Sequence, residues 1–201
     1  MNPPILMQFQ DQPFNGDSYV CNQFLKLKDD YSINIAVETG SCMYTTTEWL
    51  GKNFKQVYTI EINPEFAKYG FHKIENLNNV TPSLGNSIDF INHLVTNLHQ
   101  TDRVLFFLDA HWGDVCPLLG ELESISNIKT DFPPIIVIHD FFTGDPELGW
   151  DEYNGQVFNW SWIEPSIKKI ESKLNCNYTY FYNTQSEGAK RGVIYITPQM
   201  K

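Results

Sequence analysis

Four short apolar runs in this chain each stop at a residue that can accept a proton or hold a cation. Ile35-Ala36-Val37 stops at Glu38, residues 57–60 at Glu61, residues 104–108 at Asp109, and residues 135–138 at His139-Asp140. Continuous apolar runs of this length read as strands buried on both faces, the habit of parallel sheets covered by helices. Open parallel sheets bind ligands outside their carboxyl ends, so these tips are expected to converge on one crevice. A carboxylate there can accept hydroxyl protons or coordinate a hard cation, and a neutral imidazole can take a proton near neutral pH. Asp109, His111 and His139 are the candidate catalytic groups. His111 is favoured over His139 as the base, because the turn Asp109-Ala110-His111-Trp112 can aim two polar side chains into one pocket with Trp112 as an apolar wall. The competing reading of His111 is a histidine that only orients a neighbouring carboxylate.

The first tip leads into the turn Glu38-Thr39-Gly40-Ser41. It has no GK[ST] ending and is not a P-loop, and it matches GxGxxG only at Gly40, which counts against a nicotinamide dehydrogenase. Glu61 follows Gly40 by 21 residues. That is close to the offset of about 20 at which an acidic side chain reaches the ribose hydroxyls in nucleotide-binding α/β domains. The pair favours a nucleoside-bearing cofactor without requiring a pyrophosphate; the competing reading of Glu61 is a solvated strand end.

The elements that must position these residues alternate between strand and helix. Residues 1–17 read as an irregular N-terminal arm and 18–27 as a leading helix. Strand 34–38 is followed by a helix over 45–50 that Gly51 can end, then by a strand over 54–60. Pro64, capped by Asn63, starts a helix reaching His72 and Ile74. A short strand lies at Val80, and Gly85-Asn86-Ser87 turns into another helix. The strand at 105–108 is followed by a helix from Pro117 through Ile128, then by the fifth strand. Residues 143–160 mix glycines with Trp150, Tyr153, Phe158 and Trp160, and read either as an active-site loop or as a surface loop folded onto the core. A helix to Leu174 and an antiparallel hairpin of 178–182 with 192–197 complete a single domain over 1–201. The expected class is α/β, Rossmann-like, with a mostly parallel sheet, one reversed strand and helices on both faces.

Composition narrows the function. The chain has 201 residues, is 42% hydrophobic and 14% aromatic, and so can bury a full core. Its formal net charge is -10, from 14 basic and 24 acidic residues, and Arg103 and Arg191 are its only arginines. A phosphate-tracking surface needs clustered Lys and Arg, which argues against nucleic acid as a partner. Cys21, Cys42, Cys116 and Cys176 are scattered without a CxxC pair, as free thiols in a reducing compartment would be. No apolar run is long enough to cross a bilayer. A soluble, cytoplasmic or otherwise intracellular protein is expected.

Over residues 34–197 the order of motifs resembles the class I S-adenosylmethionine-dependent methyltransferases. VETGS looks like the cofactor turn, VYTIEIN like the ribose-binding strand end, LGNSIDF like the adenine-side loop, and FFLDAHW and IVIHDFF like the fourth and fifth strand ends. The resemblance implies a seven-stranded sheet with an antiparallel last strand. It implies that Glu38, Gly40 and Ser41 flank the methionine part of the cofactor, that Glu61 holds ribose, that Asn86 or Ser87 approaches adenine, and that Asp109 borders the cofactor. ETGSC departs from the ExGxG form common in that family, with Cys42 at the second glycine.

FLDAHW followed by VIHDFF resembles, more distantly, the metal-dependent catechol-type O-methyltransferases. That implies Asp109 and Asp140, with His139 beside them, as ligands of a Mg²⁺ ion. Phe141 stands where that subfamily has an asparagine ligand, and Gly113 where it often has a lysine. The leading expectation is methyl transfer from S-adenosylmethionine to an oxygen of a small hydroxylated molecule or sugar. Two alternatives stay open: another nucleotide-cofactor enzyme, sugar-modifying or oxidoreductase, and a catalytically inactive Rossmann-like interaction domain.

Overall fold

The computed structural model describes residues 9, 11–110 and 115–199. Its strands are β1 (Ile35–Thr39), β2 (Gln56–Glu61), β3 (Val80–Leu84), β4 (Val104–Leu108), β5 (Ile135–Ile138), the two-residue β6 (Glu152–Tyr153) and β7 (Gln156–Val157), β8 (Tyr178–Tyr182) and β9 (Ile194–Pro198). Seven of them form one sheet in the order β3-β2-β1-β4-β5-β9-β8, while β6 and β7 pair with each other outside it. From β3 to β5 all pairs are parallel; β9 runs antiparallel to both β5 and β8. The mostly parallel sheet with one reversed strand is the one expected from the sequence.

The helices are α1 (Ser18–Asp30), α2 (Thr45–Asn53), α3 (Pro64–Gly70), α4 (Ser87–Val95), α5 (Leu118–Ile125) and α6 (Trp160–Leu174). Side chains of a strand alternate between faces, and β4 and β5 are apolar at every position, so they feed two cores at once. Val37, Phe106, Ile136 and Ile138 pack with Ile91 of α4, Leu122 of α5 and Ile167 of α6. Ala36, Leu105, Phe107 and Val137 pack on the opposite face with Phe24 of α1, Leu50 of α2 and Phe14. Each such side chain, fully buried, stabilises the fold by about 1.5–3 kcal/mol. A one-residue slip would exchange the side chains of the two cores and spoil the packing of both.

Several boundaries differ from the sequence-based expectation. Gly51 does not end α2 but lies within it, where a Cβ would sit 2.7 Å from the Val80 side chain and 2.8 Å from that of Leu77. The helix from Pro64 stops at Gly70, and His72 falls in a separate 3₁₀ turn, Phe71–Lys73. The helix after Pro117 stops at Ile125, short of Ile128. Phe14, within the stretch read as an arm, is buried, its ring 4.6 Å from Phe24, 5.2 Å from Trp49 and 5.3 Å from Phe107. Within 143–160 the chain forms the β6–β7 ribbon, turned by Asn154 (φ 52°) and Gly155 (φ 79°). Asn-Gly with both residues left-handed is the two-residue hairpin turn that matches strand twist. Among the described residues no helix is long and apolar enough to cross a membrane.

Candidate active site

The register of the parallel strands lines up their carboxyl ends. Thr39 of β1 stands opposite Ile60 of β2 and Leu108 of β4, and Leu108 stands opposite Ile138 of β5. The residues one step further therefore emerge side by side. Backbone bonds carry the ladder past the strand ends: the Gly40 amide donates to the Ile60 carbonyl at 3.0 Å, Asp109 to Thr39 at 3.2 Å and His139 to Leu108 at 3.2 Å. These tips gather where β1 is flanked by β2 on one side and β4 on the other. The chain reverses its direction of sheet growth there, which is where open α/β sheets bind ligands. A hollow of about 770 Å³ at the opposite end, beside Arg103, Phe132 and Cys176, touches none of the acidic tips and is not at such a reversal.

Glu38 is buried, and its Oε2 accepts hydrogen bonds from the hydroxyls of Thr47, on α2, and Thr59, on β2, the latter at 2.7 Å. Burial pushes its carboxyl up to about 7, and the nearby Asp109 and Glu61 charges add to this while the two threonine hydroxyls oppose it. At Gly40 the backbone is left-handed (φ 77°), and a Cβ would lie 2.4 Å from the Asp109 carbonyl oxygen. Only glycine lets the first and fourth strand ends meet this closely. Cys42 has the left-handed backbone as well (φ 48°), so it keeps the conformation a second glycine would adopt. The hydroxyl of Ser41 is buried and has no hydrogen-bond partner among the described residues. A buried, unpaired hydroxyl costs stability unless something else satisfies it.

Glu61 ties β2 to that turn. One carboxylate oxygen accepts from the Cys42 amide at 2.6 Å and the other from the Asn63 amide at 2.8 Å. Each oxygen keeps a second lone pair for another donor. Asn86 caps α4, its Oδ1 accepting from the Ile88 amide at 2.9 Å and the Asp89 amide at 3.3 Å, which commits the oxygen to the helix and leaves the amide nitrogen for a ligand; Ser87 is buried behind it. Sequence reasoning missed Ile62 and Leu84, apolar yet 69% and 60% exposed, flanking Glu61 at the ends of β2 and β3. An exposed apolar pair beside a carboxylate can pack against a flat ring whose polar edge meets the carboxylate. The signal was available: both residues interrupt otherwise polar strand exits.

At the β4 and β5 ends, His139 is buried with its Nδ1 3.2 Å from Oδ1 of Asp109 and 3.2 Å from Oδ1 of Asp140, between the two and aligned for a hydrogen bond to neither. Burial alone would lower its pKa, but the carboxylates of Asp140 and Asp109 outweigh it and raise the value well above the usual 6.5. Asp140 has a left-handed backbone (φ 57°). A residue not marked as functional by its sequence completes the group: the guanidinium of Arg191 donates from Nε to Asp140 and from Nη2 to Asp151. His111, the favoured base, lies outside the described residues, as do Trp112 and Gly113.

Ligand atoms of Asp109, His139 and Asp140 lie within 4.8 Å of one another, so the three proposed metal ligands do come together. They do not fit Mg²⁺. That ion wants a near-octahedral set of oxygens, whereas here one donor is an imidazole nitrogen and one carboxylate is already paired with the guanidinium of Arg191. Phe141, at the position of the expected asparagine ligand, is buried and stacks on Tyr182 at 6.2 Å.

No protein-family model and no curated protein sequence matches the chain. Solved structures do. An O-methyltransferase from Bacillus cereus in complex with SAH superposes with a TM-score of 0.59 at 18% identity, over 99% of this chain and 93% of that one. The O-methyltransferase TomG from Streptomyces achromogenes, involved in tomaymycin synthesis and solved with SAM, gives 0.59 at 14% identity, over 100% and 92%. This is the class I S-adenosylmethionine-dependent methyltransferase fold. Precorrin 8w decarboxylase from Methanobacterium thermoautotrophicum superposes as well, with a TM-score of 0.53 at 15% identity, over 91% of this chain and 90% of that one. The fold therefore leaves the reaction to be argued from the site.

Proposed function

We propose that this protein transfers a methyl group from S-adenosylmethionine to an oxygen of a small hydroxylated molecule. The observation that carries the reading is Glu61: a buried carboxylate at the end of β2, bonded through Cys42 to the glycine turn of β1 and flanked by exposed Ile62 and Leu84. A ribose on the free lone pairs of Glu61, a base on the apolar pair, and a methionine end near Gly40 and the unpaired Ser41 hydroxyl account for features that folding alone leaves unexplained.

S-adenosylmethionine, when bound, supplies a methyl carbon on a positively charged sulfur that leaves as a neutral thioether. The chain's own task is to place an acceptor oxygen in line with that carbon and to remove its proton. Asp109 is assigned the proton, with His111 as the second candidate. His139, held protonated between Asp109 and Asp140, is a positioning residue rather than a base. Glu61 gives the crevice the negative potential that favours a cationic cofactor. No step runs through a metal ion. The four cysteines, none of them in a disulfide, suit a reducing aqueous compartment.

Calorimetric titration with S-adenosylmethionine, S-adenosylhomocysteine and NAD tests the reading. Binding of the first two and not the third is expected; binding of NAD alone would favour the oxidoreductase alternative, and binding of none would favour an inactive interaction domain.

A further inference from the structure

Arg191 is one of two arginines in an acidic chain, and it stands in the loop joining β8 to β9, far in sequence from the acidic tips of β1, β2, β4 and β5. Three backbone contacts bring it there. The Gly149 amide donates to the Lys190 carbonyl at 2.8 Å, the Gly192 amide to the Gly149 carbonyl at 2.8 Å, and the Phe141 amide to the Gly192 carbonyl at 2.8 Å. Gly192 is pressed so closely on Phe141 that a Cβ would lie 2.0 Å from its carbonyl oxygen. The guanidinium is thereby fixed between Asp140 and Asp151, which are themselves joined by an amide-to-carbonyl bond of 2.9 Å. Its planar fork matches two carboxylates, and it keeps its charge throughout the physiological pH range.

We propose that Arg191 is a built-in cation at the acceptor end of the crevice, occupying the electrostatic place of a divalent ion and keeping such an ion out. Its charge lies on the same Asp140 oxygen that faces His139, so an incoming ion would have to expel a half-buried, doubly paired guanidinium. Those N–H bonds not committed to Asp140 and Asp151 can orient an acceptor oxygen, as an ion's open coordination positions would. This orienting role rests on the methyl-transfer reading, whereas exclusion of the ion follows from the charge arrangement whichever reaction the crevice runs.

Mn²⁺ titration followed by electron paramagnetic resonance, on the full chain without substrate, tests the exclusion. The wild type is expected to show no stoichiometric site below the millimolar range. Arg191→Ala, which releases Asp140 and Asp151, is expected to gain one site at least about tenfold tighter, and Asp140→Asn in that background is expected to lose it. Arg191→Lys keeps the charge and should stay without a site; should the alanine variant fail to fold by circular dichroism, Arg191→Gln replaces it. A tight wild-type site abolished by Asp140→Asn overturns the proposal, and so does a folded, charge-removed variant that gains no site. S-adenosylmethionine titrated into the same samples reports on the methyl-transfer reading separately. Loss of that reading leaves the Mn²⁺ result intact.

Discussion

Both carboxylate oxygens of Glu61 already accept a backbone N–H, from Cys42 and from Asn63, so the residue shapes the turn as well as facing the crevice. Two substitutions separate those roles. Glu61→Ala should weaken S-adenosylmethionine binding by about tenfold to a hundredfold, the scale of hydrogen bonds to a charged group. Glu61→Gln, which keeps one acceptor for the turn, should weaken it less; unchanged calorimetric affinity in both would remove Glu61 from the cofactor site. Cys42 tests the turn itself. A branched side chain at its φ of 48° is strained, so Cys42→Val should lower stability by about 1–2 kcal/mol in denaturant titrations, while Cys42→Gly should fold and bind normally. Glu38 carries a pH signature. Its carboxyl titrates at about 7 in the fold against 4.5 in an ordinary environment, so the native state binds the extra proton between those values. Stability must then fall as pH rises from about 4.5 to 7, by roughly 2–4 kcal/mol. Glu38→Gln should remove that part of the slope in melts taken across the range; an unaltered slope would mean that Glu38 ionises normally.

The elements that hold these residues are legible to different degrees. β4 and β5 are apolar at every position, and Asn63 and Asn86 sit at the caps of α3 and α4 as their positions suggest. Gly51 misleads because a glycine inside a helix looks like a terminator until the packing of Leu77 and Val80 against it is seen. Phe14 misleads for the opposite reason. Phe14, set among Pro, Asn and Gln, carries no periodicity, yet it closes the core between α1, α2 and β4. Phe14→Ala should cost about 3–5 kcal/mol of stability, as large-to-small changes in full cores do. A chemical denaturation midpoint equal to that of the wild type would instead make the segment a detachable arm. Asn159 accepts from the Trp162 amide at the start of α6, and Asn159→Ala should cost about 1 kcal/mol in the same assay.

For the molecule as a whole, a ligand that binds only the folded state must raise its melting temperature. At a hundredfold excess over its dissociation constant S-adenosylmethionine should add about 2.7 kcal/mol, or roughly 5–10 °C for a chain of this size. The absence of any shift at millimolar cofactor would count against the proposed function. The sequence by itself determined the alternation of strand and helix, the acidic strand tips and the nucleoside offset between Gly40 and Glu61. Those signals are local or depend only on chain order, since a parallel sheet must present its carboxyl ends on one side. Only the tertiary structure decided that His139 is clamped between two carboxylates and that Arg191, some fifty residues from Asp140, supplies their counter-charge. Charge pairing across a crevice is a matter of distance in space, and no spacing along the chain encodes it until the hairpin of β8 and β9 folds back beside β5.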